Sequence, residues 1–106
     1  MSELQIKHTE QGSIVVVQLA GKLDAKTAPR LNETLKGFIG TGKTKIICEM
    51  AGVTYIASAG IVTLKANLVD AKMNGGDLRL VALQKEVQDE VDVLGFSILV
   101  VITPDL

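Results

Sequence analysis

With 106 residues and 11.3 kDa, the chain has room for one domain, residues 1–106, around one hydrophobic core. Eleven Lys and Arg against twelve Asp and Glu leave a net charge of −1, which argues against a nucleic-acid partner and its basic face. The aromatics are only Phe38, Tyr55 and Phe96, beside one Cys and one His; this excludes a base-stacking platform, an internal disulfide and a protein-only zinc cage.

No segment approaches the roughly 18 apolar residues that cross a bilayer, so no membrane partner is expected. Met1-Ser2-Glu3-Leu4-Gln5-Ile6-Lys7 alternates polar and apolar residues and lacks a signal peptide's continuous apolar region. Together with the lone Cys48, this points to the cytoplasm.

Along the chain, Leu4, Ile6 and His8 alternate with polar neighbours as in a half-buried strand, and residues 9–13 with Gly12 form a turn. Residues 14–20, Ile-Val-Val-Val-Gln-Leu-Ala, predict a central strand. A helix follows that carries Leu31, Leu35, Phe38 and Ile39 on one stripe; Pro29 is tolerable only in its first turn, which sets the start between residues 25 and 28. Gly40 and Gly42 end it. Residues 45–50 are the next strand. After a loop, residues 59–73 are helical, with Thr63, Asn67, Asp70 and Asn74 as a polar stripe and the rest mostly apolar, so burial on more than one side is expected. Residues 77–83 form a strand, 85–94 a helix with Val87, Val91 and Leu94 inward, and 96–102 a last strand. This order predicts an α/β domain with a mostly parallel, five-stranded mixed sheet, an N-terminal hairpin strand and three to four helices.

Gly37-Phe38-Ile39-Gly40-Thr41-Gly42-Lys43-Thr44 satisfies the G-x-x-x-x-G-K-[ST] pattern of phosphate-binding loops. Such a loop needs a strand before it and a helix after it, so that helix N-terminal amides face the phosphates. Here a helix ends at the glycines and a strand begins at Lys45, which would present carbonyls instead. A glycine C-cap followed by a tight turn accounts for the same letters. No nucleotide cofactor is expected there.

Residues 53–61, Val-Thr-Tyr-Ile-Ala-Ser-Ala-Gly-Ile, form the loop where chemistry can sit. Ser58 directly precedes an apolar-periodic helix and is an N-cap candidate. The hydrolase motif G-x-S-x-G is absent, because Ile56 stands at its first glycine, and the only His, His8, lies far off in the first strand. Asp24 and Asp77 could pass for paired carboxylates, but a loop–helix cap and a strand start explain them equally well. Nothing here supports an enzyme, and no cofactor is implied. Cys48, mid-strand beside Ile46 and Ile47, is expected to be a buried, inert thiol.

Three segments together carry a family resemblance. They are Leu19-Ala20-Gly21-Lys22-Leu23-Asp24-Ala25-Lys26-Thr27-Ala28-Pro29, then Ala57-Ser58-Ala59-Gly60-Ile61, then Gly76-Asp77-Leu78-Arg79-Leu80-Val81. In sequence and spacing the chain resembles the STAS-domain proteins, and among them the small anti-sigma-factor antagonists of bacteria. The resemblance covers nearly the whole chain and implies one STAS-like domain. By position, Ser58 falls on the serine that a partner kinase phosphorylates in that family, and Asp24 on the acidic residue near it. Ala57 stands where many antagonists have Asp.

The resemblance implies a binding module that captures an anti-sigma factor with ATPase-type serine-kinase activity and is released on phosphorylation of Ser58. A serine phosphatase would restore it, and the expected state is a monomer or weak dimer. The expected contact surface is Thr54, Tyr55, Ile56, Ala57 and Ser58, with Thr63 and Lys65 from the following helix and Asp24 from the adjacent loop. Tyr55 either anchors the contact or fills the underside of the loop. Two alternatives stay open: a small scaffold subunit of a signalling assembly, and a nucleotide- or ligand-sensing subunit.

Overall fold

The computed structural model describes residues 4–105; Met1, Ser2 and Glu3 of the alternating N-terminal stretch lie outside the described residues. Strand β1 (Leu4–Gln11) turns through Gly12 and Ser13 into β2 (Ile14–Leu23), and Gly12 takes the left-handed φ of +64° that this tight turn requires. Helix α1 (Ala28–Gly40) follows, then β3 (Lys45–Ile56), α2 (Ser58–Met73), β4 (Asp77–Val81), α3 (Lys85–Val93) and β5 (Val101–Thr103). The sheet order is β1-β2-β3-β4-β5, antiparallel at β1–β2 and parallel elsewhere. The α/β class, the mixed five-stranded sheet, the hairpin and three helices are as the sequence predicts.

Because the order never reverses, three crossovers of the usual hand place all three helices on one face. Val15, Val17 and Leu19 of β2, Ile46, Cys48 and Met50 of β3, and Leu78 and Leu80 of β4 share one core with Leu31, Leu35, Leu64, Leu68, Val87 and Val91 of the helices. Each strand sends alternate residues to that face, as pleating dictates. Burial of the Cys48 thiol pushes its pKa up to about 12, so it stays protonated and inert.

Four local expectations are corrected. First, β3 runs on to Ile56, so residues 53–56 are strand and not loop. The inward alternation of Ile46, Cys48 and Met50 shifts to Val53 and Ile56 because the β2–β3 register slips twice, between Gln18 and Ala20 and between Gly21 and Lys22. Second, α2 is buried on one side and not on more: Gly60, Ile61, Leu64, Asn67, Leu68 and Ala71 form one buried face turned to α1 and the sheet, and Val62, Val69 and Met73 stand exposed opposite it. Asn67 is fully buried, its Nδ2 donates to Asn32 Oδ1 at 3.0 Å, and Asp70 pairs with Lys36 at 3.0 Å. Two polar side chains meeting across the helix pair let Asn67 enter the interface, although its Oδ1 has no partner among the described residues. Third, Leu94 is the C-cap of α3 and half exposed. Fourth, residues 96–98 form a 3₁₀ turn, so the last strand is only three residues long. One cause serves both of these. Gly95, at φ +76°, ends the helix and turns the chain, so that Phe96 just beyond it is buried while Leu94 stays half exposed.

Candidate functional site

The parallel strands β2, β3 and β4 deliver their following loops to one end of the sheet. In the first loop Asp24 organises a tight turn. The Lys26 and Thr27 amides donate to its Oδ1 at 2.9 and 3.1 Å, and the Asp24 amide donates to Thr27 Oγ1 at 3.0 Å. Thr27 Oγ1 in turn donates to the Lys22 carbonyl at 2.8 Å. Desolvation pulls the Asp24 carboxyl upward, but the Thr27 and Lys26 hydrogen bonds outweigh it and hold the pKa below the ordinary value.

The β3–α2 connection is a single residue, Ala57, whose amide donates to the Leu23 carbonyl at 2.9 Å and ties the two loops together. Its own carbonyl accepts the Gly60 and Ile61 amides at 2.9 and 3.2 Å. Gly60 makes this possible: a β-carbon there would lie 3.0 Å from the Leu23 carbonyl oxygen. The N-cap of α2 is therefore Ala57, with extended backbone, and not Ser58. Ser58 is the first helical residue, and no side-chain cap hydrogen bond closes this turn. It is exposed, and its hydroxyl has no hydrogen-bond partner among the described residues.

Ser58 opens onto a cleft of about 360 Å³ lined by Thr54, Tyr55, Ile56 and Ala57 on one side and by Glu86 and Glu90 of α3 on the other. Tyr55 is 52% exposed, so it does not fill the underside of the connection; Ile56 is buried, and Thr54 is exposed. At about 100° per residue, Ser58, Val62, Lys65, Val69 and Met73 share one face of α2. On that face Val62, Val69 and Met73 are 64%, 49% and 80% exposed. Thr63 lies off this face, its carbonyl accepting from Asn67 Nδ2 at 2.9 Å on the side turned to α1. Asp24 stands at the same end of the sheet but outside the cleft lining.

Two features escape the sequence. Glu86 and Glu90 carry an i, i+4 spacing that marks one helix face, but only the β4–α3 crossover brings that face to Ser58. The exposed apolar row on α2 is hidden because so little of that helix is charged.

The phosphate-loop pattern sits at the opposite end of the sheet. Gly42, at φ +88°, donates to the Ile39 carbonyl at 3.0 Å and Lys43 to the Phe38 carbonyl at 2.9 Å, a helix C-terminal turn. Lys43 Nζ is held by Glu10 at 2.8 Å. His8 rests edge-on against Phe38, with ring centroids 5.0 Å apart, on β1 and outside the cleft. Among the described residues, no group of three His, Cys, Asp or Glu could hold a metal ion, and no helix is long and apolar enough to cross a membrane.

The STAS domain family model matches residues 5–106. The chain belongs to the STAS family. Solved STAS-like structures agree in fold. A putative anti-sigma factor antagonist from Thermotoga maritima superposes with a TM-score of 0.87 at 17% identity, over 95% of this chain and 87% of that one. An anti-sigma factor antagonist from Mycobacterium paratuberculosis gives 0.88 at 18%, over 97% and 87%. The Bacillus cell fate determinant SpoIIAA, in its phosphorylated form, gives 0.72 at 17%, over 93% and 89%. At these identities the likeness is one of fold.

Proposed function

We propose that this STAS domain is an anti-sigma-factor antagonist, a regulatory binding module whose partner, an anti-sigma factor with serine-kinase activity, seats over Ser58 and is released when Ser58 is phosphorylated. The observation that carries this is the position of Ser58: exposed, with no hydrogen bond to its hydroxyl among the described residues, on the first turn of α2, at the head of an exposed apolar row. Fold similarity to anti-sigma factor antagonists, including one solved in a phosphorylated form, supports it. A serine phosphatase would return the module to its binding state in the cytoplasm.

A phosphate on Ser58 brings a charge of about −1.5 to −2. Among the described residues the Ser58 and Ala59 amides have no backbone acceptor, and with the helix dipole they favour that charge by roughly 0.3–1 kcal/mol. The fold therefore tolerates the modification. Glu86 and Glu90 already place two carboxylates in the cleft, so the phosphorylated cleft must stay hydrated. A partner packed over it would have to strip water from unpaired anions, which costs several kcal/mol. Since about 1.4 kcal/mol is tenfold in affinity, even part of that cost separates the complex.

Incubation with the cognate kinase and ATP, followed by intact mass and peptide mapping, tests this. One phosphate, mapped to Ser58 and absent from Ser58→Ala, is the expected result. A protein that stays unmodified belongs instead with the scaffold or ligand-sensing subunits of signalling assemblies.

A further inference from the structure

We propose that the sheet face turned away from the helices carries, at the end opposite Ser58, a binding site for a small monocarboxylate with an apolar body. The carboxylate sits between Lys45 and Arg79, and the apolar body lies on Ile14 and Ile47. The inference goes beyond the antagonist reading and does not rest on it.

Strand register places these residues together. Val15 and Val17, Ile46 and Cys48, and Leu78 and Leu80 belong to the core under the helices. Pleating therefore turns Ile14, Lys45, Ile47, Asp77 and Arg79 to the other face. There Ile14, Lys45 and Asp77 stand side by side across β2, β3 and β4, and Ile47 and Arg79 are neighbours in the row above. Ile14, Lys45 and Asp77 each open their strand, so the group lies far from the β3–α2 connection. With Ile46, the five residues line a cavity of about 370 Å³, a size typical of small-molecule sites.

Gly75 and Gly76 complete the rim of this cavity. Gly76 packs so tightly on the Thr44 carbonyl that a β-carbon would clash with it, and the Asp77 amide donates to the same carbonyl at 2.9 Å. The turn from α2 into β4 is thereby fixed against the start of β3. Its two glycines bring no side chain that could fill the space.

The charged groups define the ligand. Asp77 Oδ2 accepts from Arg79 Nε at 3.2 Å, and Asp77 Oδ1 accepts from the Leu78 amide at 2.9 Å, which tethers one edge of the guanidinium. Among the described residues no hydrogen bond uses either Arg79 Nη, and none of the four ion pairs takes Lys45. Two cations against one carboxylate leave a single positive charge to be matched. A dianion would set its second charge against Asp77. The planar pair of Nη donors suits a carboxylate, and the half-buried Ile14 and Ile47 offer apolar surface beside it.

Amide NMR shifts of the labelled full chain, titrated with hexanoate, test the proposal. Hexan-1-ol, acetate and inorganic phosphate are titrated in parallel. Hexanoate should bind in roughly the millimolar range that its few atoms allow, and should move the amides of Ile14, Ile47, Gly76 and Arg79 but not those around Ser58. Hexan-1-ol lacks the charge, acetate lacks the body, and phosphate lacks the body and carries more charge. Each should bind at least about tenfold more weakly. Lys45→Gln and Arg79→Gln, checked for unchanged circular dichroism, should each weaken hexanoate by about tenfold through a lost charged hydrogen bond. The ligand series decides the matter even where a variant unfolds. Absence of any shift with hexanoate up to about 20 mM would overturn the proposal. So would equal binding by any of the three comparison ligands, shifts centred on Ser58, or folded variants that bind hexanoate as the wild type does.

Discussion

Gly60 of α2 and Leu23 of β2 approach so closely that a β-carbon on Gly60 would lie 2.6 Å from Leu23 Cγ. This contact lets the first turn of α2 settle on the end of β2, where the Leu23 carbonyl takes the Ala57 amide at 2.9 Å. The glycine of the Ser-Ala-Gly segment thus positions Ser58 without touching a partner.

Gly60→Ala should accordingly destabilise the protein by roughly 1–3 kcal/mol, the cost of forcing a methyl group into a packed contact. Gly37→Ala is the counterpart. A β-carbon on Gly37 meets nothing within 4 Å, so helix propensity should raise stability by about 0.5–1 kcal/mol. Urea unfolding of both variants checks the pair. Equal effects would remove the packing role of Gly60.

Ser58→Ala should leave stability within about 0.5 kcal/mol of the wild type. A true N-cap would lose about 1 kcal/mol, but Ser58 forms no cap bond. Thermal unfolding distinguishes the two, and a loss at the cap value would return Ser58 to a structural role.

The hairpin, the three crossovers and the ends of α1 and α2 were legible because turn chemistry and apolar spacing coincide: Gly12, Pro29, Gly42 and Gly75 all stand where backbone geometry demands them. The end of β3 was not. Alternation fails after Met50 where the register slips, and a strand whose period breaks reads as a loop. Nor was the inward turn of Asn67 legible, since its partner Asn32 lies 35 positions away. Ser58 itself was placed one residue off its role, because a serine before an apolar run looks like a cap whether or not it caps. Glu86 and Glu90 required the fold.

Asp24 supplies a pH dependence whose sign follows from its depressed pKa. Its turn is stabilised when the carboxyl is ionised, so the contribution is full above the ordinary carboxylate value and is lost as pH falls through the lower folded-state value. Asp24→Asn keeps an acceptor for the Lys26 and Thr27 amides but cannot titrate. Between about pH 4 and pH 2 the melting temperature of the wild type should fall more steeply than that of Asp24→Asn. Parallel curves would show that the Asp24 charge does not support the turn.

Lys43→Ala should neither create nor abolish nucleotide affinity, because Lys43 lies at the C-terminal turn of α1 and is engaged by Glu10. Titration calorimetry with ATP and magnesium should show no binding to either form. Micromolar binding lost in Lys43→Ala would contradict the assignment of this loop as a cap.

The most direct test is the affinity of the cognate anti-sigma factor, by calorimetry, for three forms: unmodified protein, Ser58→Asp and Ser58 phosphoprotein. A single carboxylate carries less charge than the phosphate and should weaken binding less. Affinity should therefore fall in that order, while all three forms keep the same circular dichroism. Equal affinities across the three would mean that the partner does not sit over Ser58.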